Sequence, residues 1–231
     1  MIDLGRAIQH PFEDKDWAVK MLIGAGVSLV PILNFAMYGY GLQVQRNTAQ
    51  GQDVLLPRWD DLGKFMGDGL KILVVQLIYA IPLLVIGFGL MLLSVVFGVG
   101  ADSMRSNTRE ALSTGFIVIT IALACLIMLY SLVFACIIPA TYVQLARTGQ
   151  IGSAFNFNEI LALIKGRTGD YVLVVLAPLV ISLGFGLVFG VIGIIPIIGV
   201  CVTCLVIPLV LLVNPYLTIV LGHLYGQLMR P

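Results

Sequence analysis

Long apolar runs separated by short polar intervals are the dominant pattern along this chain. The runs cover about residues 17–45, 69–99, 111–146 and 171–228. A helix needs about 20 apolar residues to cross roughly 30 Å of hydrocarbon, a length that each run exceeds. The last run has no charged side chain and is long enough for two crossings, at 171–195 and 197–228, with a turn in the glycine- and proline-containing segment 193–199. We predict an all-α, polytopic integral membrane helix bundle that forms a single domain over residues 1–231.

The polar intervals predict amphipathic helices at the membrane surface. In residues 1–16, Ile2, Ala7 and Ile8 are positioned to face lipid while charged neighbours face water. Similar patterns occupy residues 59–66 and 155–164. Trp17 and Trp59 are predicted interfacial anchors, because tryptophan favours the headgroup level.

The first apolar run is open to two interpretations, since Pro31 lies at its centre. If the run crosses once, five Lys and Arg residues lie on one side and eight on the other; if it enters and returns, only Arg105 and Arg109 lie outside, against eleven inside. Each arm of such a hairpin reaches roughly 21 Å, too short to cross. The charge count favours a re-entrant hairpin at 17–45, with both termini in the cytoplasm.

Composition agrees with lipid as the solvent. Hydrophobic residues make up 59% of the 231 and charged residues 11%, with a net charge of +1, whereas soluble domains carry about 25% charged residues. This charge balance gives no electrostatic case for binding nucleic acid. The bilayer is the expected partner, together with other membrane subunits or a second copy of the chain.

Within the apolar runs the candidate chemistry is neutral. No Asp, Glu, Lys or Arg lies at mid-depth, which argues against a proton relay or ion-coupled pump. Asn34, Gln76 and Asn214 are candidates for a polar path, and helix–helix hydrogen bonding is the structural alternative.

Two further motifs have structural explanations. Cys201 and Cys204 form a C-x-x-C motif inside an apolar run, and His10 and His223 stand alone in the sequence, so we predict no metal site, no cofactor and no catalytic residues. The G-x-x-x-G pairs, Gly186 with Gly190 and Gly222 with Gly226, predict close helix packing.

A series of short motifs carries a family resemblance: Pro11-Phe12-Glu13-Asp14, Val30-Pro31-Ile32-Leu33-Asn34, Leu56-Pro57-Arg58-Trp59-Asp60-Asp61 and Gly67-Asp68-Gly69-Leu70-Lys71. Together they resemble the prokaryotic family called domain of unknown function 4013, most closely over about residues 11–85. The resemblance implies a multi-pass bacterial or archaeal plasma-membrane protein. It supplies no catalytic residues, because the family is uncharacterised.

Three function hypotheses follow from these patterns. The leading one is a non-enzymatic structural or accessory subunit of a membrane assembly. The alternative is a transporter or channel-like protein for a small neutral or lipidic molecule. An intramembrane enzyme is disfavoured, because no nucleophile or acid–base constellation appears.

Overall fold

The computed structural model describes the backbone of residues 2–52, 56–101, 106–193 and 196–230. Side chains are described over the same ranges except 98–101, 106–112, 188–189, 191–193 and 196–210. Every regular element in the described residues is helical. The predicted all-α class is therefore confirmed for this part of the chain.

Eight α-helices and two short 3₁₀ turns make up the described chain. The helices are α1 (Leu4–Gln9), α2 (Trp17–Leu29), α3 (Phe35–Ala49), α4 (Leu62–Ala101), α5 (Ser106–Thr148), α6 (Phe157–Gly166), α7 (Thr168–Gly193) and α8 (Pro196–Met229), and the 3₁₀ turns are His10–Phe12 and Ile151–Phe155. The chain divides into two compact units. The first comprises Met1–Val75 and Ile138–Pro231, and the second comprises Gln76–Ile137, so that α4 and α5 are each divided between the two.

The first unit is organised around α8, which packs against α1, α2, α3 and α7. The run predicted to bend at Pro31 forms two helices, α2 and α3, joined by a turn over residues 30–34. Met21 of α2 shares a buried cluster with Tyr40 and Val44 of α3. A Cβ on Gly24, further along α2, would touch Met37, which lies earlier on α3. The two helices therefore run in opposite directions as a hairpin.

A close crossing joins this hairpin to the start of α4. The helix begins at Leu62 because the Asp61 carboxylate accepts a hydrogen bond from the Lys64 backbone amide at 2.9 Å, as an N-cap does. Two turns further along, a Cβ on Gly69 would overlap the Phe35 carbonyl, and a Cβ on Gly39 would overlap the Phe65 carbonyl. Only glycine permits this approach of the two backbones.

The second unit is an antiparallel pair formed by parts of α4 and α5. Tyr130 donates a hydrogen bond to the Tyr79 carbonyl at 2.6 Å, and the Tyr79 ring lies 5.4 Å from that of Phe134. Toward the other end of this helix pair, the rings of Phe97 and Phe116 stack with their centroids 4.8 Å apart. Most large apolar side chains of this unit are exposed.

Three helices among the described residues are long and apolar enough to cross a membrane. They are Leu62–Phe97, Ser113–Thr148 and Thr168–Leu187. The predicted span at 197–228 coincides with α8, but most of its first half has side chains outside the described residues. Of the predicted turn at 193–199, residues 194 and 195 lie outside the described residues, and residues 196–199 already belong to α8, because proline is well suited to the first position of a helix.

The polar intervals differ in detail from the predicted surface helices. Ala7 does not face lipid; it is fully buried. Residues 59–66 do not form a separate helix, since residues 62–66 are the first turn of α4. The third predicted segment corresponds to α6, Phe157–Gly166.

Candidate functional site

The crossing of α3 and α8 brings together most of the polar groups that the sequence singles out. A Cβ on Gly222 would lie 2.6 Å from the Gly41 carbonyl oxygen, and one on Gly226 would lie 2.6 Å from the Gln45 carbonyl oxygen. The two backbones are thus in direct contact along this second G-x-x-x-G pair. This contact fixes α3 against α8 and sets the positions of the side chains on either side of it.

A cluster of neutral polar side chains lies at one end of this crossing. The Asn214 amide nitrogen of α8 lies 3.3 Å from Ser28 Oγ and 3.4 Å from Asn34 Oδ1. Ser28 in turn donates to the Gly24 carbonyl at 2.8 Å. Asn34 and Asn214 therefore meet although they are 180 positions apart in the sequence. We call Ser28, Asn34 and Asn214 the amide cluster.

The opposite end of the crossing is charged. Arg46 of α3 pairs with Asp68 of α4, which also pairs with Lys71, and Arg46 Nε donates to the Ala146 carbonyl of α5. Arg230 donates to the Thr48 carbonyl at 2.8 Å. These contacts satisfy helix-terminal carbonyls and tie α3, α4 and α5 together. We call this group the charged end.

The amide cluster lies far from the charged end. Asn214 precedes Met229, the last residue of α8, by about 22 Å at 1.5 Å per residue. Asn34 precedes Arg46 by about 18 Å on the same measure. If the charged end marks the membrane surface, the amide cluster lies inside a hydrocarbon layer about 30 Å thick.

A cavity of about 180 Å³ lies between the two ends, in the angle formed by α3, α5 and α8. Its wall is mostly apolar and aromatic. The lining residues are Tyr38, Gly41, Gln45, Ile138, Tyr142, Thr218, Leu221, Gly222 and Tyr225. Tyr38 follows Asn34 by one helical turn and Thr218 follows Asn214 by one turn, so the cavity adjoins the amide cluster on both helices.

A second ion pair anchors the segment before α2. Asp14 accepts hydrogen bonds from Lys20 Nζ at 2.7 Å and from the Leu56 amide at 2.9 Å. Burial alone would raise the pKa of Asp14, but these hydrogen bonds and that from the Asp16 amide outweigh it, and the pKa lies below its ordinary value. Lys20 also donates to the Leu56 carbonyl at 2.8 Å.

The two histidines meet in the fold. The rings of His10 and His223 stack at 4.3 Å, and both side chains are buried. His223 Nδ1 is hydrogen-bonded to Gln227 at 3.0 Å, and Gln227 accepts from the Asp3 amide at 2.7 Å. Sequence reasoning missed this pair, because no local pattern connects residues 213 positions apart.

Among the described residues, no group of three or more His, Cys, Asp or Glu side chains is arranged to hold a metal ion.

The remaining predicted residues belong to other parts of the chain. Gln76 is half-buried at the start of the second unit. A Cβ on Gly186 or Gly190 of α7 would meet nothing within 4 Å, in contrast to Gly222 and Gly226. Cys201 and Cys204 have side chains outside the described residues.

The two predicted anchors have different surroundings. Trp17 is 37% exposed and meets Phe12 edge-on at 5.0 Å. Trp59 stacks on Tyr40 at 4.5 Å and donates to the Lys20 carbonyl at 3.0 Å. Trp59 is therefore packed within the protein, and its role as an anchor stays a prediction.

Comparison with known proteins identifies a family but no activity. No curated protein and no solved structure matches the chain significantly. The model of one family, described as protein of unknown function (DUF4013), matches residues 23–198, which confirms the resemblance seen in the sequence. Because this match covers most of the chain, the protein belongs to the DUF4013 family.

Proposed function

We propose that this chain is a multi-pass protein of a prokaryotic plasma membrane, with four spans, a re-entrant α2–α3 hairpin and both termini in the cytoplasm. The separation of apolar and charged surfaces supports the proposal. In the second unit, the α4 part from Gln76 to Phe97 is about 33 Å long, close to the hydrocarbon thickness. At the turn between α2 and α3, Leu29 and Ile32 are 61% and 69% exposed, as expected for groups that lipid covers.

Cysteine labelling tests this topology. We expect cysteines introduced at Lys15 and at Gln52, which flank the α2–α3 hairpin, both to react with a membrane-impermeant maleimide only after cells are opened. Labelling of just one of the two in intact cells would refute the re-entrant hairpin, because a single crossing at 17–45 places Lys15 and Gln52 on opposite sides of the membrane. Labelling of both in intact cells would refute the cytoplasmic placement of the termini.

Within the membrane, the proposed role is that of a non-enzymatic structural or accessory subunit. The open glycine face of α7 carries this proposal. Gly186 and Gly190 lie one turn apart, and within the described part of the chain a Cβ on either would meet no atom of another element within 4 Å. Such pairs allow helix backbones of different subunits to approach closely. The matching pair on α8, Gly222 and Gly226, is already used within the chain.

Purification of the tagged chain from native membranes in mild detergent tests this role. We expect a discrete assembly that loses its partner when Gly186 is replaced by leucine. The control is Gly184→Leu, which adds the same bulk about 200° around α7 at a site equally free of close neighbours. A monomer with and without the substitution would contradict the accessory role.

The alternative, passage of a small neutral or lipidic molecule, is favoured by the amide cluster. Asn34 and Asn214 are brought together beside a cavity, and polar groups at membrane depth are often functional. Uptake of a small neutral molecule into vesicles that contain the purified chain tests this alternative. We expect uptake to fall with Asn214→Leu and Gln76→Leu, and uptake that both variants retain would exclude this path.

A further inference from the structure

The amide cluster is incompletely satisfied by its own contacts. The two hydrogen bonds from Asn214 measure 3.3 and 3.4 Å, longer than the usual 2.9–3.0 Å. The Asn214 side chain is also exposed, while Leu29 and Ile32 nearby on the α2–α3 turn form an exposed apolar surface. In a membrane, an exposed amide in such surroundings needs a partner that lipid tails do not supply.

The adjoining cavity offers room for the apolar part of such a partner. Thr218 lines the cavity and donates to the backbone carbonyl of Asn214 at 2.9 Å, one turn earlier on α8, so the cavity begins one helical turn from the cluster. The volume of about 180 Å³ exceeds that of an engineered 150 Å³ cavity that holds benzene, and corresponds to roughly six water-sized groups. A short alkyl chain or a single ring fits this space.

The charge of the site restricts the ligand. None of the residues that line the cavity or form the amide cluster is charged. An ionised ligand would lose its hydration without gaining a counter-charge. Neutral hydrogen-bonding heads, such as a hydroxyl or an amide, match what Asn34 and Asn214 offer.

We propose that the amide cluster and the cavity together bind an uncharged amphiphile, with its hydroxyl or amide head on Asn34, Asn214 and Ser28 and about six carbons of its tail between Tyr38, Ile138 and Leu221. This site rests on the membrane placement proposed above and would supply the ligand class of the alternative function. It does not depend on the accessory role.

Photolabelling of the full chain in liposomes tests the site. The probe is 3-azioctanol, an eight-carbon alcohol with a photoreactive diazirine, and 1-octanoylglycerol is the competitor. We expect saturable labelling on peptides that contain Tyr38, Tyr142 or Leu221. Octane, which lacks a head group, should compete less well than the glyceride.

Variants separate binding from misfolding. Asn214→Leu should weaken labelling about fivefold, the equivalent of about 1 kcal/mol for a lost hydrogen bond. Leu221→Phe should also reduce it by filling the cavity while leaving the cluster intact. The control is Asn47→Leu, since Asn47 lies on the same helix as the cavity wall but bonds to Gln43; labelling should stay within twofold.

The outcomes distinguish the two proposals. If alkaline carbonate extracts the chain from liposomes, the membrane placement fails and the site with it. If the chain stays inserted but labelling is spread along the lipid-facing helices, or falls equally in Asn47→Leu and Asn214→Leu, only the site is overturned.

Discussion

Replacement of Gly69 by alanine is the sharpest test of the packing between α3 and α4. A Cβ at this position would overlap the carbonyl oxygen and carbon of Phe35. Because these are backbone atoms, no rotamer change relieves the overlap, and the two helices have to separate. On the same helix, a Cβ on Gly87 would meet nothing within 4 Å, so Gly87→Ala is the matched control.

The two substitutions are expected to change the free energy of unfolding in opposite directions. Alanine is favoured over glycine inside a helix by about 1 kcal/mol, which both substitutions gain. Overpacking costs about 1–3 kcal/mol, and a rigid backbone neighbour favours the upper end. We therefore expect Gly87→Ala to raise the free energy of unfolding by about 1 kcal/mol and Gly69→Ala to lower it by about 2 kcal/mol.

Equilibrium unfolding of the purified protein in mixed micelles, followed by circular dichroism and tryptophan fluorescence, measures both values. Trp59 lies next to Tyr40 and Phe65 near this crossing, so its fluorescence reports local separation. If Gly69→Ala is as stabilising as Gly87→Ala, the close approach of α3 and α4 is refuted.

Three further predictions concern the first unit. The lowered pKa of Asp14 means that its ion pair stabilises the fold above its unfolded pKa of about 4 and that this stability is lost as the pH falls through the folded-state pKa. Asp14→Asn should therefore cost about 2 kcal/mol at pH 7 and flatten the decline in thermal stability between about pH 5 and 3; an unchanged profile would contradict this. His10→Ala removes the stacking on His223 and should speed trypsin cleavage in the first sixteen residues, whereas equal cleavage rates would show that stacking does not hold this segment. Tyr40→Phe removes a 3.0 Å hydrogen bond to the Pro57 carbonyl and should cost about 1–2 kcal/mol in the same unfolding assay; a stability equal to that of the unmodified chain would show that water replaces the bond.

Helix positions were predictable because the apolar runs are long and their breaks have local causes. Pro31 predicts the turn between α2 and α3. The predicted separation of a surface helix at 59–66 from the apolar run at 69–99 was wrong, because residues 62–66 continue directly into α4. The start of α8 was predicted less accurately: Pro196 was interpreted as part of a turn, and it is the first residue of the helix. Proline both ends and begins helices, and the sequence alone does not distinguish the two roles.

Only part of the candidate site was predictable: Gln76 was predicted together with the two asparagines and is not part of the amide cluster, and most residues that line the cavity were not singled out. Asn34 and Asn214 stand out as amides in apolar runs, yet nothing in the sequence states that they meet. His10 and His223 were interpreted as isolated for the same reason. Such contacts depend on which faces of α3 and α8 pack together, and the glycines that decide this are too frequent in the chain to be assigned in advance.

The contact between the segment around α1 and the end of α8 has a consequence for biosynthesis. Asp3 bonds to Gln227 across 224 positions, so the two cannot meet until nearly all the intervening chain has left the ribosome. At about 5–20 residues per second, this interval lasts roughly 10–45 s. During that time the stretch that later buries Ala7 and His10 has no docking surface on α8, and its closure is a late step that marks completed insertion of the helices between them.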